Sequence, residues 1–396
     1  MRIPVLPFVI TLFVCVVADV YIYIIAKRRC RTSVPSRMQL ITSLLMYAGL
    51  IVGVALPRRS GSDGTLLSVM WILFSFSTVY LPKILFVVID LIACIPKLFH
   101  KRRLGWLSLS GGVLALVLFI SMWWGALVNR YRVQVVEIDV PIENLPQGFD
   151  GYRIVQFSDL HTGTFGTDTT FVSHLADKLN SLNGDVIVFT GDIVNRRTDE
   201  LEPQWRPLAR LDAPDGVYAI LGNHDYGDYS EWKNAAWKQD NMNALYDYFN
   251  LMGWRLLLNE HEMLRHGNDS IALVGVENVG DPPFTVYGSL PDSYPDLADG
   301  VVKVLLSHNP AHWVTDIADN DSVNVALTLS GHTHAMQIEV CGLSPAAWRY
   351  PTWGGLYTDK SNSHKLYVNI GAGTVGFPMR LGATPEITVL TLRRAD

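Results

Sequence analysis

Gly331-His332-Thr333-His334 closes an apolar, β-branched run over residues 323–329. That run reads as a buried strand. Two histidines on alternate positions just past a strand end can turn two imidazoles toward one small volume. The glycine is expected to let the backbone turn sharply there. Such a pair alone is ordinary turn chemistry. It gains meaning from what precedes it. Asp159-Leu160-His161 follows a strand-like run at 152–158, Gly191-Asp192 follows 186–189, and Gly222-Asn223-His224-Asp225 follows 217–221. His308 follows a fifth run at 301–307. In α/β sheets, ligands collect beyond the carboxyl ends of strands, where all five elements stand.

Carboxylate, imidazole and amide oxygen are donors that a hard or borderline divalent cation accepts. Asp159, His161, Asp192, Asn223, His308, His332 and His334 are seven candidate ligands, more than one ion needs. With one bridging carboxylate they suit two metal ions ~3.5–4 Å apart, the arrangement that clamps a phosphoryl group for in-line displacement by water. His224 adjoins a ligand and is expected to reach the substrate, stabilising phosphoryl charge or protonating the leaving oxygen. Asp225 then orients His224 or anchors the loop.

Around these motifs, residues 131–396 read as one domain. Helical spacing is expected at 169–182, with Asp168 as N-cap, and within 231–251. Further strands are expected at 133–140, 254–258, 271–276, 366–370 and 386–392. Strands alternate with helices early and crowd together late, which argues for an α/β sandwich of mixed sheets. Arg196, Arg197, Glu277, Asn278 and Arg380 are secondary candidates near the cleft. Each reads more readily as structure or solvated surface. Trp348, Tyr350 and Trp353 form a packed loop, an apolar lip for a lipid-like substrate, or a surface that rests against the bilayer.

Residues 1–130 are a different material. Hydrophobic residues make up 49% of the 396 and charged residues only 17%, and the apolar excess lies in this first third. Apolar stretches at 3–26, 40–56, 66–98 and 106–128 approach or exceed the ~20 residues a membrane helix needs. Trp106, Trp123 and Trp124 sit like interfacial anchors. The first stretch ends in Lys27-Arg28-Arg29, not in a cleavage site, and so reads as retained. The third, interrupted by Pro82-Lys83 and Asp90, could cross once or twice. Lys83 is expected to snorkel and Asp90 to lie near an interface. Lys27, Arg28, Arg29, Arg31 and Arg37 in the first loop, and Lys97, Lys101, Arg102 and Arg103 in the third, outweigh Arg58 and Arg59 in the second. With four spans, the positive-inside rule places residues after 128 outside the cytoplasm.

A net charge of -5 and the absence of a long basic run in the C-terminal part give no expectation of nucleic-acid binding. Only Cys341 of the four cysteines falls in the polar domain, so no disulfide can form within it.

The ordered motifs, from Asp159-Leu160-His161 to Gly331-His332-Thr333-His334, resemble the calcineurin-like metallophosphoesterases, in their membrane-anchored branch. The resemblance spans about 152–392, and every motif position is filled. It implies a four-layer α/β/β/α sandwich. It implies one metal held by Asp159, His161, Asp192 and His334, and another by Asp192, Asn223, His308 and His332. It also implies His224 as the catalytic histidine, Asp225 as the acidic residue after it, and manganese, iron or zinc as the ions. The expectation is a multi-pass membrane phosphoesterase acting on a phosphodiester, pyrophosphate or phosphomonoester, with membrane lipids around it and an envelope or lipid-linked substrate. One alternative is a pyrophosphatase resembling those that cleave UDP-2,3-diacylglucosamine in lipid A synthesis. Another is a membrane sensor or transporter whose C-terminal domain only binds a ligand.

Overall fold

A computed structural model describes residues 5–57, 59–320 and 322–395. Ile3, Pro4, Arg58 and Asp396, which the sequence reading includes, lie outside the described residues. The chain forms two units, Met1–Leu127 with Gly376–Met379, and Val128–Val375 with Arg380–Asp396.

The first unit contains α1 (Val5–Arg29), α2 (Val34–Ala55), α3 (Asp63–Cys94) and α4 (Gly105–Leu127), four helices long and apolar enough to cross a membrane. The third apolar region is one continuous helix through Pro82, closed by a 3-10 turn at Ile95–Phe99. The second span starts six residues before the expected 40, because its polar residues face inward: Gln39 Nε2 donates to Asp19 Oδ1 at 2.8 Å. Trp106 and Trp124 are exposed, but Trp123 turns inward against Trp71 and Phe74.

Lys83 corrects the reading above. Lys83 does not snorkel; its Nζ bonds Asp19 Oδ1 at 2.9 Å, and Tyr47 and Tyr80 hydroxyls donate to the other Asp19 oxygen. Asp90 is fully buried and accepts from Tyr21 and Arg103. Each charge thus meets a partner distant in sequence. Removing one member of a buried pair leaves the other uncompensated. Lys83→Met is expected to lower bundle stability by about 3–5 kcal/mol. Adding Asp19→Asn should cost less than the sum of the singles, a coupling readable from thermal melts of the four variants in detergent.

Among the described residues the second unit carries twelve strands: β1 (Gln134–Ile142), β2 (Arg153–Phe157), β3 (Val186–Thr190), β4 (Val217–Ile220), β5 (Arg255–Leu256), β6 (Glu260–His266), β7 (Asp269–Gly275), β8 (Lys303–Leu306), β9 (Leu327–Ser330), β10 (Gly355–Thr358), β11 (Lys365–Val368) and β12 (Glu386–Arg394). They form two six-stranded mixed sheets, ordered β1-β12-β2-β3-β4-β5 and β10-β11-β9-β8-β7-β6. Helices α5 (Thr170–Asn180), α6 (Trp205–Leu208) and α7 (Ala235–Met252) belong to the first sheet's outer side, and α8 (Leu290–Ser293) to the second's.

The period-2 alternation of strands builds these layers. Val155 and Phe157 join Leu175, Leu245 and Phe249 under the helices. Ile154, Val186 and Val188 meet Leu273, Val304 and Leu329 between the sheets. Leu305, Trp313 and Ile317 share the outer core of the second sheet. The result is the α/β/β/α sandwich.

Two edge strands, β6 and β10, have no counterpart in the sequence reading; Glu-His-Glu-Met-Leu-Arg-His is too polar to register as a strand. The run at 323–329 yields regular strand only from Leu327. Helix α7 starts at Ala235, after Asn234 Oδ1 accepts from Trp237 N. Asp168 Oδ1 does accept from Thr170 N, although the flanking position of α5 is Thr169.

Candidate metal centre

Strands β2, β3 and β4 of one sheet and β8 and β9 of the other all end at the same rim. Backbone bonds continue past their ends: Asp159 N donates to Gly191 O at 2.9 Å and Gly331 N to His308 O at 2.9 Å. The side chains that follow form two compact groups, Asp159/His161/His334 and Asp192/His308/His332. Within each group one ligand atom per residue lies within 4.8 Å of the others. Asp192 Oδ2 stands between the groups, 3.2 Å from His308 Nε2 and 3.7 Å from His161 Nε2. A carboxylate placed so can bridge two cations.

Several donor atoms here converge on one another as the ligands of a cation do. His161 Nε2 and His334 Nε2 face each other at 3.0 Å. Asn223 Oδ1 is buried without a hydrogen-bond partner, and His308 Nε2 faces the Asp192 carboxylate. The opposite ends of these side chains are held. His308 Nδ1 bonds Thr190 O at 2.7 Å and His161 Nδ1 bonds Val194 O at 3.2 Å, so each presents Nε2. Asn223 Nδ2 donates to Tyr229 OH at 2.9 Å, which leaves Oδ1 aimed inward. His332 Nε2 bonds Tyr350 OH at 2.9 Å, so its ligating nitrogen is Nδ1. The donor set therefore fits a pair of divalent cations.

The backbone is strained to achieve this. Asp159, His161, Asp192, His332 and His334 all have φ between 48° and 75°. Non-glycine residues seldom adopt that region, and such strain clusters at functional sites. Gly331 supplies space. A Cβ there would strike Ser158 Oγ and Asp159 Oδ2, and the positive-φ residues are the histidines themselves.

Burial holds the rings of His161, His332 and His334 below the ordinary imidazole range, His332 at about 3. All three are thus neutral and ready to donate a lone pair. Burial disfavours charge on Asp159 too, but the contacts with His334 and the charge on His308 together lower the carboxyl. On His308 burial opposes a charge, yet the Asp192 carboxylate raises the metal-free ring to about 9. A cation must displace that proton. Apparent metal affinity is therefore expected to rise about tenfold per pH unit between pH 6 and 8, with about one proton released per chain from this ring. Calorimetry of Mn²⁺ binding in buffers of different ionisation enthalpy reads that number.

The remaining candidates separate. His224 lies at the half-exposed edge of the site, outside both groups. Its Nδ1 bonds Asn195 O at 2.5 Å, and its ring stacks on Tyr229 with centroids 4.2 Å apart. Asp225 does not orient it. The Asp225 carboxylate accepts from the backbone N–H groups of Asp192, Ile193, Val194 and Gly222 at 2.8–3.2 Å. It ties the Asp192 loop to the Asn223 loop. Arg196 is not solvated but 2% exposed, beside Glu200; Arg197 pairs with Asp199. Glu277 accepts from Asn259 and Tyr226 and serves the loop. Asn278 is buried and donates to Thr285 O. Arg380 is wholly buried; it donates to Gly373 O and Ile370 O and lies 3.1 Å from His334 Nδ1.

Sequence reading missed Asn195 and Tyr229, and named Tyr350 only within an aromatic cluster. Asn195, Tyr229 and Tyr350 position ligands or His224 from loops, and no spacing marks them. Outer hydrogen-bond partners of ligands are worth 10–100-fold in metal affinity. Tyr350→Phe is expected to weaken binding of one of the two ions by roughly tenfold at unchanged thermal stability, measured by metal-buffered titration.

The calcineurin-like phosphoesterase family matches residues 152–336. The family described as "Probable Calcineurin-like phosphoesterase, transmembrane domain" matches residues 1–130. The chain is 33% identical to the metallophosphoesterase YkuE of Bacillus subtilis over 279 residues, covering 68% of this chain and 88% of that one. It is 29% identical over 342 residues to the transmembrane protein with metallophosphoesterase domain of Danio rerio, covering 82% of this chain and 74% of the relative. An integral membrane region followed by these strand-end motifs accords with both matches. The chain belongs to the calcineurin-like phosphoesterases, as a membrane-linked phosphoric ester hydrolase.

Proposed function

We propose that the protein is a two-metal phosphoesterase that cleaves a phosphodiester or pyrophosphate of a lipid-linked envelope substrate, with its catalytic unit outside the cytoplasm. The observation that carries this is the shared Asp192 carboxylate between two ligand groups, with His224 at their open edge. Asp159, His161, Asp192 and His334 would hold one cation, and Asp192, Asn223, His308 and His332 the other. Bound there, the two ions supply Lewis acidity toward the phosphoryl oxygens and an activated water.

The chain's own residues do the rest. Asn195 O can only accept, so His224 Nδ1 carries a proton and Nε2 is the nitrogen that exchanges one with the leaving oxygen. Tyr229 keeps that ring upright by stacking. Asp225, through four backbone N–H groups, fixes the distance between the Asp192 and Asn223 loops.

The sidedness rests on loop charge and on helix count. Because α3 is a single continuous helix, four crossings return the chain to the side opposite the basic first and third loops. An exposed Lys178→Cys on α5, in a variant lacking the native cysteines, tests this in intact cells with a membrane-impermeant thiol reagent. Labelling before lysis is expected. Labelling only after lysis would overturn the sidedness and favour a cytoplasmic, nucleotide-linked lipid pyrophosphate as substrate.

A further inference from the structure

Two residues past the ligand His334, the chain enters a segment that exposes apolar side chains without being loose. Met336, Val340, Leu343 and Trp348 are 45%, 58%, 77% and 91% exposed. Leu343 and Trp348 match or exceed Leu109 and Leu6, at 72% and 70%, on the membrane helices. Residues 340–348, Val-Cys-Gly-Leu-Ser-Pro-Ala-Ala-Trp, carry no charge.

The segment is rigid. Val340 N donates to Leu343 O at 2.9 Å and Leu343 N to Val340 O at 3.1 Å, closing a two-residue turn. Cys341 and Gly342 have φ of 53° and 76°, the pattern of a tight hairpin. Glu339 N bonds Leu381 O and Leu381 N bonds Gln337 O, both at 2.8 Å, and Ser344 Oγ donates to Ala335 O. A preorganised hairpin that points Leu and Trp at water has an unfavourable hydration term unless something covers it.

Only Val128 separates the end of α4 from Asn129. Asn129 Nδ2 donates to Arg380 O at 3.0 Å, the residue before Leu381. The hairpin is therefore bonded to the strip of the catalytic unit at which the chain arrives from its last span. Arg380 also approaches His334, a ligand.

We propose that the 336–348 hairpin inserts its apolar tip into the interfacial layer of the membrane and so holds the metal site at headgroup depth. This rests on the phosphoesterase reading above and narrows its substrate to a phosphoester whose lipid part stays in the bilayer. Trp348 sits as an interfacial aromatic, with Arg349 beside it paired to Asp281 at the rim. Insertion strength follows the buried apolar area, so Leu343 and Trp348 contribute most.

The test uses the full chain in nanodiscs of phosphatidylethanolamine and phosphatidylglycerol. Cys15, Cys30 and Cys94 are replaced by alanine, and the native Cys341 at the tip carries a nitroxide. Collisions with oxygen are expected to exceed collisions with a water-soluble nickel chelate at Cys341, and the reverse at Lys178→Cys in the Cys341→Ala background. Leu343→Ser with Trp348→Ser should move the Cys341 label into water. It should also slow cleavage of a diacylglyceryl p-nitrophenyl phosphodiester in vesicles by about tenfold, at unchanged turnover of bis(p-nitrophenyl) phosphate. A Cys341 label as aqueous as that at Lys178→Cys overturns the proposal. So does a label shielded from both reagents and broadened by a second label, which would mean that another copy covers the tip. A lipid-depth label on a protein that cleaves neither substrate leaves the insertion supported and removes the phosphoesterase reading instead.

Discussion

Asp192→Asn is expected to leave a folded protein that binds at most one ion per chain and loses at least ~10³-fold in kcat/KM, about 4 kcal/mol. Asp192 Oδ2 lies within 4 Å of ring nitrogens from both ligand groups. An amide retains one acceptor, so the bond from His224 N to Oδ1 can persist and the loop stays in place. It cannot offer a second anionic oxygen to the middle of the site. Elemental analysis of purified variant, beside a circular-dichroism melt, reads both arms. Two retained ions with near-normal turnover would show that the groups do not share this carboxylate.

His224→Ala is expected to reduce kcat by about 10²–10⁴-fold with both ions retained, the range associated with loss of a positioned general acid or base. The ring stands outside both ligand groups, and its Nδ1 proton is committed to Asn195 O. Its contribution should depend on the leaving group. The loss ought to be large for an alkoxide and small for p-nitrophenolate, which departs without a proton. Equal losses across leaving groups would assign His224 to phosphoryl charge stabilisation instead. Loss of metal in this variant would contradict its placement outside the ligand set.

Legibility followed the range of the interactions. Strand-end motifs could be read one by one, because a Gly-Asp or a Gly-His-Thr-His signal needs only its own neighbours. The membrane spans were visible for the same reason. The edge strands β6 and β10 were hidden, since they are stabilised by pairing to β7 and β11 and not by their own composition. Arg196 looked like a surface charge because its partner Glu200 sits in an ordinary polar run. Beside His224 in the chain, Asp225 reads as its orienter or as an anchor of the loop. In the fold its carboxylate turns the other way, to four backbone N–H groups that satisfy a buried anion.

By itself, the sequence determined the chemistry and the setting: which donor atoms are supplied, in what order along the chain, and that they follow a region built for a bilayer. Residue type and strand-end position are local properties, and they survive without knowledge of the fold. Only the tertiary structure decided which atoms are used. Tyr350 selects Nδ1 of His332, Thr190 selects Nε2 of His308, and Tyr229 turns the amide oxygen of Asn223 inward. It also decided that Lys83 meets Asp19, and that Leu343 and Trp348 stand outside the core. Each of these depends on contacts between segments far apart in the chain, whose meeting is set by sheet order and helix packing and by no local pattern.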